Sequence, residues 1–229
     1  MNIAKYRNQE GILVAVDCII FGFDGHQLQA LLIKRGFEPE KGKWSLMGGF
    51  VEQNESTDVA AIRILQQLTG MKNIYMEQLY CFSNVNRDTA GRVISVAYFA
   101  LINIEDYNEQ LQQDHEARWF TMDKIPKLVF DHKEMMTKAK ERLREKVGNH
   151  PIGFELLPEK FTLPQLQNLY EAIYEQPLDK RNFTRKILSL KILNKLTLKE
   201  RETSRKGAFY FVFDKQKYKR LHRDGVKFV

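Results

Sequence analysis

Hydrophobic residues over the first 147 positions come in short runs of strand length, broken by polar turns. "GILVAVDCIIFGF" and "LQALLIKR" are β-rich runs separated by "DGHQ", and the Asp24-Gly25 pair in that break signals a hairpin. "YMEQLYCFS" and "RVISVAYFALINI" repeat the pattern around a turn through "NRDTAG", and "ARWFTMDKIP" reads as a last short strand ended by Pro126. The period then changes. In "FDHKEMMTKAKERLREKVG" the residues Met135, Ala139, Leu143 and Val147 recur every four positions, which places them on one face of a helix. Asp131 can cap its N-terminus, Glu134 three residues later completes a capping box, and Gly148 supplies the stop.

"GNHPIGFELLP" interrupts this regularity with two glycines and two prolines, which predicts domains over 1–149 and 150–229. "FTLPQLQNLYEAIYEQ" then begins a helix at Thr162, with Gln165 as capping-box partner and Pro164 in the first turn. Leu166, Leu169, Tyr170 and Ile173 form its apolar stripe. "DKRNFTRKILSLKIL" predicts a second helix capped by Asp179, with Phe183, Ile187 and Leu190 turned inward. "GAFYFVFDKQKYKRL" reads as a strand, a turn at Asp214 and a returning strand. Helix, turn, helix and ribbon in this order make a winged helix-turn-helix.

Charge sharpens that reading. Residues 1–150 hold 19 Lys/Arg against 20 Asp/Glu, a net of −1, whereas residues 151–229 hold 17 against 9, a net of +8. The chain's formal +7 therefore sits in its last third, as expected of a module that meets a polyanion, although a solvated basic face or a basic protein-interaction domain has the same composition. On the second helix Arg181, Thr184 and Arg185 share an outward stripe, with Lys180 and Asn182 near its N-terminal end and Lys186 beside them. Arginine can take guanine with two hydrogen bonds, asparagine can take adenine, and lysine holds phosphates. The predicted ribbon adds Lys206 and Lys217, together with Lys215, Lys219 and Arg220. Two cysteines, Cys18 and Cys81, fall in separate strand-like runs and are expected to be buried, reduced thiols. The N-terminus is polar, and the most apolar run is too short to span a bilayer and contains Asp17, so a soluble cytoplasmic protein is expected.

The stretch with the most specific spacing is "GGFVEQNESTDVAAIRILQQLTGM", residues 48–71. Five residues separate Gly49 from Glu55, seven separate Glu55 from Arg63, and Gly70-Met71 closes it. With "WSLMGGFVE" in front, it resembles the Nudix box, G-x5-E-x7-R-E-U-x-E-E-x-G-U with U apolar. The resemblance covers about residues 11–147 and implies an α/β fold, an N-terminal Nudix α/β/α sandwich with a mixed sheet. In the family three glutamates of the box hold Mg²⁺; here those positions are Ile64, Gln67 and Leu68. Mg²⁺ requires oxygen donors, and two aliphatic side chains offer none. Without the ion nothing activates water or neutralises charge on a pyrophosphate, so no metal, no cofactor and no hydrolysis are expected. Glu55 and Arg63 remain in place, which fits a scaffold role.

The second half carries a further resemblance. "FELLPEKFTLPQLQNLYEAIYEQPLDKRNFTRKIL" joined to a degenerate Nudix domain is similar to the Nudix-related transcriptional regulators. That resemblance implies a homodimer on a palindromic DNA operator and a small effector bound where a Nudix substrate would lie. One branch senses ADP-ribose and controls NAD biosynthesis; another controls sugar catabolism, notably of L-arabinose. "DCIIFGF", "WSLMGGFVEQNES" and "YMEQL" look closer to the second, which makes a pentose such as L-arabinose the expected effector, with ADP-ribose the alternative. Repression is the commoner family behaviour. The expected pocket lies over Gly48, Gly49 and Glu52, walled by Lys34, Arg35, Arg87 and Asp88, with Trp44 either stacking on a sugar or packing in the core. A neutral pentose needs hydrogen-bond partners there, whereas ADP-ribose needs cations and an aromatic clamp. An active Nudix hydrolase and an RNA-binding protein are the competing readings.

Overall fold

The computed structural model describes residues 10–107, 116–149, 154–201 and 207–223. Its organising element is β1 (Leu13–Phe23), which pairs in parallel with β6 (Val93–Asn103) along its whole length. On its other side β1 pairs antiparallel with β2 (Leu28–Lys34) and with β4 (Met47–Phe50). The short β3 (Trp44–Ser45) and β7 (Arg118–Thr121) pair with β2, and β5 (Glu77–Phe82) pairs with β6. A strand buried on both faces reads as a nearly continuous apolar run, and β1 does so.

Period-two alternation divides β1 between two cores. Val16, Cys18 and Ile20 pack with Ala60, Ala61, Ile64 and Leu65 of α1 (Thr57–Thr69). Ile19, Phe21 and Phe23 belong to the opposite cluster, with Met135, Ala139, Leu143 and Val147 of α2 (His132–Asn149). This is the α/β/α sandwich. Asp17 has the parity of the α2 side.

The C-terminal part is a winged helix. β8 (Lys160–Thr162) leads into α3 (Leu163–Tyr174), where Thr162 and Gln165 form the expected capping box. α4 (Lys180–Ser189) follows, with the Asp179 carboxylate accepting from the Asn182 amide. A three-stranded sheet in the order β8-β10-β9 closes the domain, from β9 (Leu193–Glu200) and β10 (Ala208–Phe213). The ribbon therefore differs from the expected one. "DKQKYKRL" is not a returning strand but part of a helix, α5 (Lys215–Arg223), because Asp214 accepts the amides of Gln216 and Lys217 and so caps it. The strand that pairs with β10 precedes it in the chain, and Lys215, Lys217, Lys219 and Arg220 lie on α5 rather than on the wing.

Three smaller expectations also change. Asp131 is not a side-chain cap: both its carboxylate oxygens accept from Arg87, and only its backbone carbonyl begins the helix, accepting from the Met135 amide at 3.1 Å. The helix continues through Gly148. Cys18 is buried as expected, but Cys81 is exposed, on β5 at the edge of the sheet. The proposed domain boundary at residues 149 and 150 lies at the edge of the described residues, and residues 150–153 fall outside them. No helix among the described residues is long and apolar enough to cross a membrane.

One apolar cluster runs from the sandwich into the winged helix, taking in Leu143 and Val147 of α2, then Leu156, Phe161, Leu166 and Ile173. Leu143 is fully buried within it. Leu143→Ala is expected to cost about 2–5 kcal/mol by leaving a cavity at the junction, measured as a lower urea midpoint of unfolding.

Candidate functional site

The box folds as its spacing implies, with its glycine loop paired to β1 and packed against α1. Gly48 and Gly49 stand opposite Asp17 and Val16 in the β1–β4 ladder. A Cβ at Gly48 would lie 2.2 Å from Asp17 Oδ1, and one at Gly49 would lie 2.7 Å from Ile64 Cδ1. The Ile64 side chain thus fills the space beneath the loop with hydrocarbon, and Leu68 is half-buried against the same cluster. The Gln67 carbonyl accepts from Arg63 Nη1 at 3.3 Å. Arg63 also donates through Nε to Glu55 Oε2 at 2.9 Å and through Nη2 to the Phe50 carbonyl at 3.1 Å. Glu55 Oε1 in turn accepts the Glu52 amide at 2.9 Å. The Arg63 hydrogen bonds hold the Glu55 carboxyl down at about 2. Glu55 and Arg63 tie the loop to α1. Among the described residues no group of three or more His, Cys, Asp or Glu could hold a metal ion.

Beside the loop is a small cavity of about 40 Å³ that opens to solvent, lined among others by Asp17, Arg35, Phe37, Gly48, Asp88 and Phe130. Its floor is a buried polar network. Arg87 donates to both oxygens of Asp131, each at 2.8 Å, and its Nη2 lies 3.5 Å from Asp17 Oδ2. Ser95 donates to the same Asp17 oxygen at 2.6 Å. His132 Nδ1 accepts the Leu46 amide at 3.1 Å, which leaves the ring proton on Nε2, 3.4 Å from Asp17 Oδ1. Burial holds the His132 pKa below its ordinary value, so the ring is neutral near pH 7. At the mouth the Arg35 guanidinium lies 4.0 Å from the Phe37 ring centre and 5.2 Å from that of Phe130. The cavity thus combines a cation, two aromatic faces and a fixed polar floor.

Of the residues expected here, Arg35, Gly48, Gly49, Arg87 and Asp88 line the cavity. Lys34, Trp44 and Glu52 do not. Lys34 pairs with Glu116 at 2.5 Å, and Trp44 packs edge-on against Phe120 at 4.7 Å beside the α2-side core. Glu52 points into solvent, 3.6 Å from Arg63. Lys34 and Trp44 are register partners at the β2–β3 edge of the sheet, and these contacts engage them there rather than at the cavity. Sequence reasoning missed Asp17, Phe37, Phe130 and His132 as cavity residues, and Asp131 as the partner of Arg87 behind them. A charged residue inside the most apolar run was the available signal for Asp17.

The winged helix presents a second candidate surface. On α4 Phe183 and Ile187 are buried, whereas Lys180, Arg181, Asn182, Arg185 and Lys186 are exposed and Thr184 is half-buried. Arg185 Nη2 donates to Asn182 Oδ1 at 3.0 Å, so two polar side chains of this face are already ordered toward each other. On the wing Phe209 is covered by Lys195 Nζ at 3.7 Å and Lys199 Nζ at 4.4 Å from its ring centre. Lys217 braces the base of the sheet instead, donating to Asn194 Oδ1 at 2.9 Å. Lys206 lies outside the described residues.

Comparison with known proteins matches both halves. Residues 11–139 match the NUDIX domain family, and residues 153–213 match the family described as the NrtR DNA-binding winged helix domain. The ADPR responsive transcriptional repressor NtrR of Acinetobacter baylyi is 38% identical over 192 residues, covering 81% of this chain and 77% of that protein. Shewanella oneidensis NrtR complexed with a 27mer DNA superposes with a TM-score of 0.80 at 29% identity, covering 90% of this chain and 95% of that one. The NUDIX domain of the same protein complexed with ADP ribose gives a TM-score of 0.54 at 30% identity, covering 62% of this chain and 99% of that one.

The buried histidine has a measurable consequence. In the unfolded chain a histidine takes up a proton near pH 6.5, whereas buried His132 stays neutral. The unfolded state therefore binds more protons below that pH, and stability falls as the solution is acidified from about 6.5, by at most about 1.4 kcal/mol per pH unit for one group. Urea unfolding at a series of pH values is expected to show this slope, and His132→Gln is expected to flatten it.

Proposed function

Since the chain belongs to the Nudix family and carries an NrtR-type DNA-binding winged helix, we propose that it is a transcriptional repressor whose Nudix domain senses ADP-ribose. The winged helix holds operator DNA, and ADP-ribose in the cavity releases it. One observation carries this reading: a Nudix cavity whose metal-ligand positions are occupied by Ile64, Gln67 and Leu68 is joined to a helix exposing Lys180, Arg181 and Arg185. A ligand that is not consumed can serve as a signal.

The choice of effector follows the cavity's chemistry and the relatives together. A diphosphate calls for a cation and an adenine calls for aromatic faces; Arg35, Phe37 and Phe130 supply both. A neutral pentose uses neither. The nearby relatives are named for ADP-ribose, so the nucleotide-sugar replaces L-arabinose as the proposed effector. The absence of turnover is part of the same proposal, since Ile64 and Leu68 bring no oxygen donor to Mg²⁺. A homodimer on a two-fold symmetric operator is the arrangement that lets two recognition helices enter successive major grooves.

Fluorescence anisotropy on a labelled operator duplex tests the reading. ADP-ribose is expected to release the protein, L-arabinose to leave it bound, and rising salt to weaken binding steeply. Release by L-arabinose alone, or Mg²⁺-dependent hydrolysis of ADP-ribose at enzymatic rates, would overturn it. Arg185→Ala is expected to weaken specific operator binding by about 1–3 kcal/mol, measured by the same titration.

A further inference from the structure

The two candidate surfaces are joined by one helix. α2 begins at the cavity floor, where the Asp131 carboxylate is held by Arg87 and the Asp131 carbonyl accepts the first helical bond. Immediately before it, Phe130 sits at φ 48°, a left-handed conformation that is rare for a bulky side chain, with its ring facing Arg35 and His132. The entry to α2 is therefore determined by residues that line the cavity.

The far part of α2 grips the DNA-binding domain. Lys140 and Arg144, one turn apart, both pair with the carboxylate of Glu175, Arg144 Nη2 at 2.5 Å. Arg144 Nε also donates to the Ile173 carbonyl at 2.9 Å, one of the last carbonyls of α3. Glu175 is the C-cap of α3, in the left-handed region at φ 56° and ψ 34°, and it opens the turn into α4. That turn is itself braced. The Leu178 amide donates to Glu171 Oε1 at 2.9 Å, and Gln167 Nε2 donates to the Leu178 carbonyl at 3.0 Å. α3, the turn and α4 thus move as one piece, and Glu175 is where α2 takes hold of it.

We infer that Arg144, Lys140 and Glu175 form a clasp that positions the recognition helix relative to the Nudix domain and carries the effect of cavity occupancy to it. The inference rests on the operator-binding and effector reading given above. Geometry supports the leverage. Asp131 and Arg144 are about 20 Å apart along a helix rising 1.5 Å per residue, so a tilt of about 5° at the cavity end displaces the clasp by about 2 Å. Magnitudes support the division of labour. Half-exposed ion pairs are individually weak, so the buried apolar cluster through Leu143, Val147 and Leu166 holds the domains together. The clasp selects the angle. A weak, orientation-dependent contact is suited to being shifted by a ligand, because coupling between sites is itself small. The Glu175 carboxyl is held below its ordinary pKa, first by Lys140 and also by Arg144, which keeps the clasp charged at neutral pH.

The test uses the full chain with Glu175→Gln, Arg144→Gln and the double variant, and three titrations: operator duplex without effector, operator duplex with saturating ADP-ribose, and ADP-ribose without DNA. Each single variant is expected to bind the operator five- to twentyfold more weakly without effector. Non-specific duplex binding and ADP-ribose affinity are expected to stay within twofold of the unsubstituted chain, which a general loss of folding would not allow. The double variant is expected to be no weaker than the singles, as for two partners of one contact. The ratio of operator affinities without and with ADP-ribose is expected to fall at least fivefold in each variant. Effector-free operator affinity unchanged in both single variants, or additive losses in the double variant, would overturn the clasp. If the unsubstituted chain ignores ADP-ribose, the effector reading fails, while the effector-free affinities still decide whether the clasp positions the helix.

Discussion

A guanidinium buried between two carboxylates holds the Nudix half together. Arg87 comes from the loop between β5 and β6, Asp17 from the central strand, and Asp131 from the start of α2, so one side chain ties the sheet, a connecting loop and a helix. Removing one member of such a buried set leaves an uncompensated charge, a loss of about 3–5 kcal/mol. Ser95 and the neutral ring of His132 complete the shell around Asp17 and fix which of its oxygens is engaged by what. Gly48 is then constrained in turn, because any Cβ there would collide with Asp17.

Beside that polar floor, side-chain contacts fix the shape of the Nudix box. The Glu55–Arg63 pair pins the loop to α1, and Ile64 fills the space under Gly49 with methyl groups. Ile64 and Leu68 add burial to the core on that side of the sheet.

The winged helix meets a different requirement. Its apolar core is shared with the sandwich through one continuous cluster, while the chain's excess positive charge lies in this part of the sequence. Packing therefore fixes that the domains touch, and polar contacts at Glu175 bear on how they are inclined. The junction combines an apolar contact that is insensitive to small tilts with polar contacts that depend on orientation.

Much of this was legible in the sequence because it depends on neighbours along the chain. Alternation in "LVAVDCIIFGF", the four-residue stripe from Met135 to Val147, the Thr162–Gln165 box and the spacing from Gly49 to Met71 are local patterns with local causes. They sufficed for the sandwich, the winged helix and the location of the positive charge. The helix after Asp214 was misread as a strand because a polar turn and a cap begin with the same residue type, and only the pairing of β10 with β9 excluded the return. The polar contacts were not legible for a different reason. Whether Asp131 caps a helix or receives Arg87, whether Trp44 faces a ligand or Phe120, and whether Glu175 is solvated or clasped are settled by which distant strands and helices lie side by side. The sequence by itself determined the elements and the chemistry available to them; the tertiary structure alone decided which charges meet, because side-chain pairing acts over a few ångströms in space and carries no signature along the chain.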